Sequence, residues 1–259
     1  ALVMIAVRQA RGGGGRMRVS TVSAASRSSG LMIAERLRSN STSSLPLAGR
    51  WAYSREITAG VLTGAGRGFS AGMDLKAFLK GEDISAMTTF IRNGSRKPLI
   101  GAIEGFALAG GLELALTCDL LVAAKGVKLG IPEVGVGLFA AAGGLLRLPS
   151  RVGYGRAMEM AITGDPIRAE EAAQLGMVAR LTEPGQAVEV ALELAQRVAK
   201  NAPLGVAASK QLIRATQGAT EEEFWAMQGP LQVKVFTSND AKEGPKAFAE
   251  KRPPNWKGR

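Results

Sequence analysis

The pattern of hydrophobic and polar positions divides the 259-residue chain into an alternating part and a helical part. Short apolar runs bounded by glycine or proline, such as ITAGVLTG, PLIGAIEGFAL and DLLVAA, predict buried strands. Stretches with apolar residues at helical spacing separate them, as in ISAMTTFIRN. The C-terminal quarter is helical almost throughout, with a break near Asn201. We therefore predict an α/β core over residues 1–200 and a helical subdomain over residues 201–259.

One helical stretch, which begins at Gly110 and reads GGLELALTC, is apolar on almost every side and yet contains Glu113. A helix without a polar face is buried, and a buried glutamate is rare unless it is paired. Glu133 lies in a similar apolar setting, IPEVGVG. Two such carboxylates can have their pKa values pushed apart, so that one acts as an acid and the other as a base. The structural alternatives are a Glu113 bonded to the backbone and a Glu133 that caps a neighbouring helix.

Glycines follow two predicted strands and precede two predicted helices, in ALAGG and in GFSAG. The first N–H groups of a helix have no intrahelical partner, and glycine lets a ligand oxygen approach them closely. The N–H groups of Gly110 and Met73 are therefore candidates for a shared anion or oxyanion site. Neither glycine run matches a phosphate-binding loop or a dinucleotide-binding fingerprint, and we predict no nucleotide site.

The composition limits the chemistry and the location. The chain has no histidine and a single cysteine, Cys118. Ser-His-Asp and Cys-His catalysis are excluded, and metal binding is poorly supported. One cysteine also fits a reducing compartment, so we predict a cytoplasmic protein. No apolar run reaches the roughly 18 residues of a membrane span, and the opening ALVMIAV lacks the features of a signal peptide.

The net charge of +11 comes mainly from one segment. Residues 8–55 hold nine arginines and one acid, Glu35, which gives +8. The segment is also rich in serine and contains GGGG, a composition typical of a disordered basic arm. The segment could be a true insertion, in which case an RNA partner is possible. Alternatively, it does not represent the native protein and results, for example, from an out-of-frame reading of a GC-rich gene. We favour the second and expect no nucleic-acid partner.

Three successive stretches resemble the signatures of the enoyl-CoA hydratase/isomerase (crotonase) family: GRGFSAGMDLKAF, KPLIGAIEGFALAGGLELALTCDLLVAA and KLGIPEVGVGLFAAAGGLLRLPSRVGYGRAMEMAITG. The resemblance runs from about Val61 to Arg259 and fails over residues 8–55. It implies a crotonase-like spiral of ββα units with C-terminal helices that form a trimer or a dimer of trimers. It also implies an acyl-CoA substrate, with no metal and no cofactor beyond the coenzyme A of the substrate.

The resemblance assigns roles to the candidate residues. The backbone N–H groups of Met73 and Gly110 would hold the thioester oxygen, Glu113 would activate water for attack at C3, and Glu133 would protonate C2. Two glutamates favour an enoyl-CoA hydratase of fatty-acid or related metabolism, and isomerisation or a specialised dehydration stays open. The CoA half would be bound by Ala71, Asp74, Leu75 and Lys76 and, from a neighbouring subunit, by Phe248 and Lys251.

Some features remain open or structural. The segment between Lys76 and Pro98, which shapes the acyl pocket in the family, is short, so the acyl chain is not predicted. For Lys76 and Lys251 the structural alternative is an ordinary solvated lysine. Asp119 and Cys118 are expected to be structural, with Cys118 packed in the core.

Overall fold

The computed structural model describes residues 2–8, 19–22, 57–73 and 85–259, and only the backbone of residues 2–8, 19–22 and 85–87. The strands within these ranges are β1 (Leu2–Arg8), β2 (Val19–Val22), β3 (Ile57–Gly64), β4 (Leu99–Ile103), β5 (Phe106–Leu108), β6 (Leu120–Ala124), β7 (Lys128–Gly130), β8 (Ile167–Arg168) and β9 (Arg180–Thr182).

The helices of the described ranges are α1 (Ser85–Asn93), α2 (Gly110–Ala115), α3 (Gly144–Arg147), α4 (Pro149–Val152), α5 (Tyr154–Thr163), α6 (Ala169–Gln174), α7 (Ala187–Ala199), α8 (Pro203–Ala215), α9 (Glu221–Phe236) and α10 (Asn239–Ala249). A 3₁₀ helix covers Pro132–Val136. No helix of the described part of the chain is long and apolar enough to cross a membrane.

The strands form two sheets. The larger has the order β2-β1-β3-β4-β6-β9, and the smaller has the order β5-β7-β8. In the larger sheet β3, β4, β6 and β9 pair in parallel, and β1 pairs antiparallel with β2 and β3. Parallel neighbours require crossover connections, and the intervening helices lie on these crossovers. This is the predicted α/β arrangement.

The central strands are buried on both faces, so alternate residues of one strand enter different cores. Leu62 belongs to the core that includes α2, and its neighbour Val61 belongs to the core on the other face. The second core is closed by α7 through buried alanines at every fourth position: Ala187, Ala191, Ala195 and Ala199. Such small side chains let the helix lie close to the sheet.

The end of β5 fixes the start of α2. Leu108 N–H donates to Ser70 O at 2.9 Å, and Ala109 N–H donates to Gly130 O at 2.9 Å. Helix α2 begins at the next residue, Gly110. Its N-terminus is therefore held between the loop that carries Met73 and the strand that leads to Glu133.

The structure corrects several predicted elements. PLIGAIEGFAL was predicted as one strand but forms β4 and β5 in different sheets, because Gly105 between them has φ +65° and turns the chain. The stretch KLGIPEVGVGLFAAAGG, for which the sequence predicts a loop, contains β7 and the 3₁₀ helix. Within the basic segment, Val19–Val22 pair with β1, so this part is not the disordered arm that composition predicts. The helix predicted after GFSAG lies outside the described residues.

Candidate active site

Glu113 lies on the buried face of α2 and is 3% exposed. Its Oε1 accepts hydrogen bonds from the N–H groups of Ala142 at 2.7 Å and Gly144 at 2.9 Å. Gly143, between these donors, has φ +95°, a left-handed conformation that turns neighbouring N–H groups towards one point. We call Ala142–Gly144 the glutamate nest. The structural alternative, in which Glu113 is bonded to the backbone, therefore applies to Oε1 only.

The other oxygen, Oε2, faces the N-terminus of α2. A Cβ atom on Gly110 would lie 3.9 Å from Glu113 Oε2 and 3.8 Å from Met73 N. A Cβ atom on Gly72 would lie 2.9 Å from Gly110 N. The two backbone nitrogens predicted to bind one oxyanion therefore border one small space, with a carboxylate oxygen at its side.

The backbone is strained where this space begins. Ala109 has φ +52° and ψ −134°, a conformation that costs a residue with a Cβ atom roughly 1–3 kcal/mol. Its carbonyl accepts the N–H groups of Leu112 and Glu113, which are the first bonds of α2. The N–H groups of Gly110 and Gly111 precede these bonds, so the positive end of the helix is open to a ligand oxygen.

Glu133 occupies the first turn of the 3₁₀ helix and is half-buried. Its Oε2 is buried and accepts no hydrogen bond from the described residues. Burial raises the pKa of the Glu133 carboxyl, and the nearby charge of Glu113 raises it further. A carboxyl group whose ionised form is disfavoured in both ways holds its proton to higher pH than an ordinary glutamate, which suits an acid.

Glu113 is in a more balanced environment. Burial raises the pKa of the Glu113 carboxyl, whereas the hydrogen bonds from Gly144 and Ala142 and the charge of Arg147 lower it. Three groups thus favour the charged form of Glu113, as a base requires, whereas only its own backbone N–H favours the charged form of Glu133. The environments of the two carboxylates therefore differ in the direction that acid–base catalysis needs.

The residues predicted to bind CoA are exposed where the structure describes them. Ala71 is exposed on the loop before Met73. Phe248 is 87% exposed at the end of α10, and Lys251 is exposed just beyond it. The predicted CoA-binding residues Asp74, Leu75 and Lys76 lie outside the described residues.

Two residues next to α2 are structural. Cys118 is buried, and burial raises the pKa of its thiol, which makes it unreactive. Asp119 Oδ2 accepts Leu99 N–H at 2.7 Å and the Lys210 ammonium at 2.6 Å, so it joins β4 to α8. No group of three metal-ligating side chains occurs among the described residues.

Sequence reasoning did not identify the glutamate nest or Arg147 as parts of the site. The available signal was the pair of glycines at the start of α3 in AAAGGLLR, which resembles other glycine-rich helix starts. Backbone donors leave no side-chain pattern, so only the fold shows that Gly144 N–H and Ala142 N–H meet Glu113.

The comparisons with known proteins show the family of the chain. The model of the enoyl-CoA hydratase/isomerase family matches residues 50–259. The enoyl-CoA hydratase EchA19 of Mycobacterium tuberculosis is 40% identical over 215 residues, which cover 79% of this chain and 81% of that protein. The carnitinyl-CoA dehydratase of Proteus mirabilis is 41% identical over 213 residues, which cover 77% and 81%. Both names denote hydro-lyases.

The solved structures show the same fold. The crystal structure of enoyl-CoA hydratase EchA1 from Mycobacterium marinum has a TM-score of 0.79 and 51% identity, and the match covers 82% of this chain and 85% of that one. An enoyl-CoA hydratase from Mycobacterium tuberculosis H37Rv has a TM-score of 0.79 and 48% identity over the same shares. The crotonase-like fold predicted from the resemblance is confirmed. The family match leaves out residues 1–49, which include most of the basic segment.

Proposed function

Because this chain belongs to the enoyl-CoA hydratase/isomerase family, we propose that it is an enoyl-CoA hydratase. The reaction adds water reversibly to the trans-2 double bond of an acyl-CoA thioester and gives a 3-hydroxyacyl-CoA. One observation carries the proposal: Glu113 Oε2 borders the space between Met73 N and Gly110 N, and the second carboxylate, Glu133, is close enough to respond to its charge.

The thioester oxygen would lie against the N–H groups of Met73 and Gly110. Both donors are fixed by the backbone, so they need little reorganisation when negative charge develops on that oxygen. Removal of one such donor costs about 3 kcal/mol of transition-state stabilisation in comparable sites. The strained peptide at Ala109 and the start of α2 hold the Gly110 donor in place.

The two carboxylates would divide the proton transfers. Glu113, as the base, takes a proton from water while the water oxygen bonds to C3, and the double-bond electrons move to C2 and the thioester oxygen. Glu133, as the acid, then gives its proton to C2, which completes the addition of one water. Glu133 is close enough to Glu113 for the charge of one to act on the other, which suits addition of the hydroxyl and the hydrogen to the same face.

The test is the fate of solvent atoms. Crotonyl-CoA is incubated with the protein in oxygen-18 water and, separately, in heavy water, and the product is identified by mass spectrometry. We expect one solvent oxygen at C3 and one solvent hydrogen at C2. A product that has the molecular formula of crotonyl-CoA but a shifted double bond would instead identify the protein as an isomerase.

A second candidate is dehydration of a specialised acyl-CoA, which the similarity to carnitinyl-CoA dehydratases favours. The same two carboxylates would perform it as the reverse reaction, with Glu133 ionised and Glu113 protonated at its start. Comparison of kcat/KM on crotonyl-CoA and carnitinyl-CoA separates the two. A higher value on carnitinyl-CoA would replace the proposed substrate and leave the site roles in place.

The proposal includes a homo-oligomer. Helices α8 and α9 have no buried residue, and α9 exposes Trp225, Val233 and Phe236. A second apolar surface surrounds a cavity of about 340 Å³ beside the 3₁₀ helix, lined by Val134, Phe139, Leu145, Tyr154, Met158 and Ile162 among others. Exposed apolar surfaces of this extent mark protein–protein contacts. If the two different surfaces meet between copies with a rotation of about 120°, the contact closes into a ring of three, which is a trimer.

Phe248 and Lys251 belong to the same part of the proposal. Their exposure at the end of α10 leaves them accessible to the CoA of a neighbouring subunit. Lys251 would act there as a point charge for phosphate. We place the protein in the cytoplasm, since its single cysteine fits a reducing compartment.

A further inference from the structure

Arg147, at the end of α3, is hydrogen-bonded to the glutamate nest. Its Nη2 donates to Ile91 O at 2.6 Å, and its Nη1 donates to Ala142 O at 3.5 Å. The guanidinium lies over Gly143, since a Cβ atom there would be 2.6 Å from Nη1. The residue whose N–H binds Glu113 therefore has its own carbonyl bound by Arg147.

These contacts form a closed circuit around α2. Glu113 accepts the N–H groups of the nest, Arg147 joins the nest to the last turns of α1 at Ile91, and Ile91 O also accepts Thr117 Oγ1 at 3.5 Å. Thr117 lies one turn after Glu113, and its single hydroxyl proton is shared between Ile91 O and the nearer Glu113 O, at 3.1 Å. The planar, forked guanidinium can hold two carbonyls at once, which an ammonium group cannot do with the same geometry.

We propose that Arg147 is a positioning residue for Glu113: it fixes the Ala142–Gly144 nest, which holds Oε1 and leaves Oε2 directed at the reacting water. Its catalytic consequence depends on the proposed function, whereas its effect on the Glu113 carboxyl does not. Arg147 itself touches no reacting atom.

The charge of Arg147 acts in the same direction as its geometry. Among the described residues, the charged groups that act on the Glu113 carboxyl are Arg147 from α3 and Glu133 from the 3₁₀ helix. Arg151 and Arg214 face Arg147 itself. Because the cation lowers the pKa of Glu113, its removal raises that pKa. A base must be ionised to act, so the acid limb of the activity profile moves to higher pH.

The test compares Arg147→Met with Arg151→Met. Arg151 is a matched control, because it also binds carbonyls, Cys118 O at 3.0 Å and Asp119 O at 3.4 Å, but makes no hydrogen bond to the nest within the described residues. For Arg147→Met we expect a roughly tenfold to hundredfold loss of kcat at nearly unchanged KM, and an acid limb at higher pH. For Arg151→Met we expect lower thermal stability with the wild-type kcat and pH profile.

Two further measurements cover the remaining outcomes. If Arg147→Met does not fold, Arg147→Lys keeps the charge but not the two-carbonyl clamp, and we expect a reduced kcat with an acid limb close to that of the wild type. Carbon-13 NMR of the Glu113 carboxyl, assigned with Glu113→Gln, reads the titration without turnover. If the titration midpoint is higher in Arg147→Met but the wild type shows no turnover, the hydratase proposal is refuted and the positioning role is retained. An unchanged midpoint and wild-type kcat in the Arg147 variants would overturn the positioning role.

Discussion

Glu133 Oε2 is buried without a hydrogen bond from the described residues, although a buried oxygen of this kind is normally paired. An unpaired buried acceptor costs stability, and an ionised one costs more. The same environment favours the protonated form of Glu133, which suits the acid that the proposed mechanism requires at C2. Stability therefore disfavours a carboxyl group at position 133, whereas the proposed catalysis requires one.

We therefore predict that Glu133→Gln is inactive but more stable than the wild type, by on the order of 1 kcal/mol at about pH 8. The folded-state pKa of Glu133 is raised, so the stability of its protonated form is present at low pH and lost as pH rises through that pKa. An amide has no such loss. Urea unfolding at about pH 8 and about pH 4, below the ordinary glutamate pKa of about 4.3, measures the difference, which should disappear at the lower pH.

The control for this measurement is Glu159→Gln, which removes a glutamate with a 58% exposed side chain that pairs with Arg156 on α5. Surface pairs of this kind contribute about 0.5 kcal/mol or less. The account of Glu133 would be refuted if Glu133→Gln were less stable than the wild type at high pH. It would also be refuted if the difference in free energy of unfolding were the same at both pH values.

The two glutamates could be found from the sequence because a carboxylate in an apolar run is conspicuous. The donors that hold Glu113 could not, because any residue except proline supplies an N–H group. The role of Arg147 could not be predicted for a related reason, because the arginine in LLRLP has the pattern of an ordinary cation at a helix C-terminus. Its role follows only from the return of the chain to Ile91, which is 56 positions away.

At the scale of elements, the contact between α2 and the loop before Met73 sets the width of the proposed oxyanion site. A Cβ atom on Gly111 would lie 2.2 Å from Ser70 O, a backbone atom that itself accepts Leu108 N–H. The glycine therefore allows the helix and the loop to touch. Any side chain at this position must separate them.

We expect Gly111→Ala to lower stability by about 2 kcal/mol, the scale of overpacking, and to lower kcat because Met73 N and Gly110 N move apart. The matched variant is Gly155→Ala in α5, where no atom lies within 4 Å of the new Cβ. Removal of that helical glycine should raise stability by about 0.5–1 kcal/mol. Thermal unfolding of both variants tests the prediction, and equal melting temperatures would contradict it.

Long elements with a regular pattern were predictable, and short ones were not. Helix α7 is recognisable because its apolar positions repeat over thirteen residues. The strands β5 and β7 have three residues each, too few for a period to show, and their pairing depends on distant partners. The division of PLIGAIEGFAL at Glu104–Gly105 also has a distant cause, since Glu104 accepts the N–H groups of Gly185 and Ala187 at the start of α7.

At the scale of the whole molecule, the exposed apolar side chains of α9 predict association. Val233 is 64% exposed on this helix. Val233→Glu introduces a charge that would have to be buried in the proposed contact, so we expect it to shift the protein from a trimer or hexamer towards a monomer. Gln232→Glu is the control, because Gln232 is an exposed polar residue of the same helix. Light scattering after size exclusion measures the mass, and an oligomer that survives Val233→Glu would contradict this contact.

The most direct test of the two-carboxylate mechanism is the turnover of crotonyl-CoA, followed by the loss of its conjugated thioester absorbance. Wild type, Glu113→Gln, Glu133→Gln and the surface control Glu159→Gln are compared at equal concentration. We predict that each active-site variant loses about 10²-fold to 10⁴-fold in kcat, the scale of one general acid or base, and that Glu159→Gln retains the wild-type rate. Wild-type turnover by either active-site variant would show that the chemistry does not depend on this pair of carboxylates.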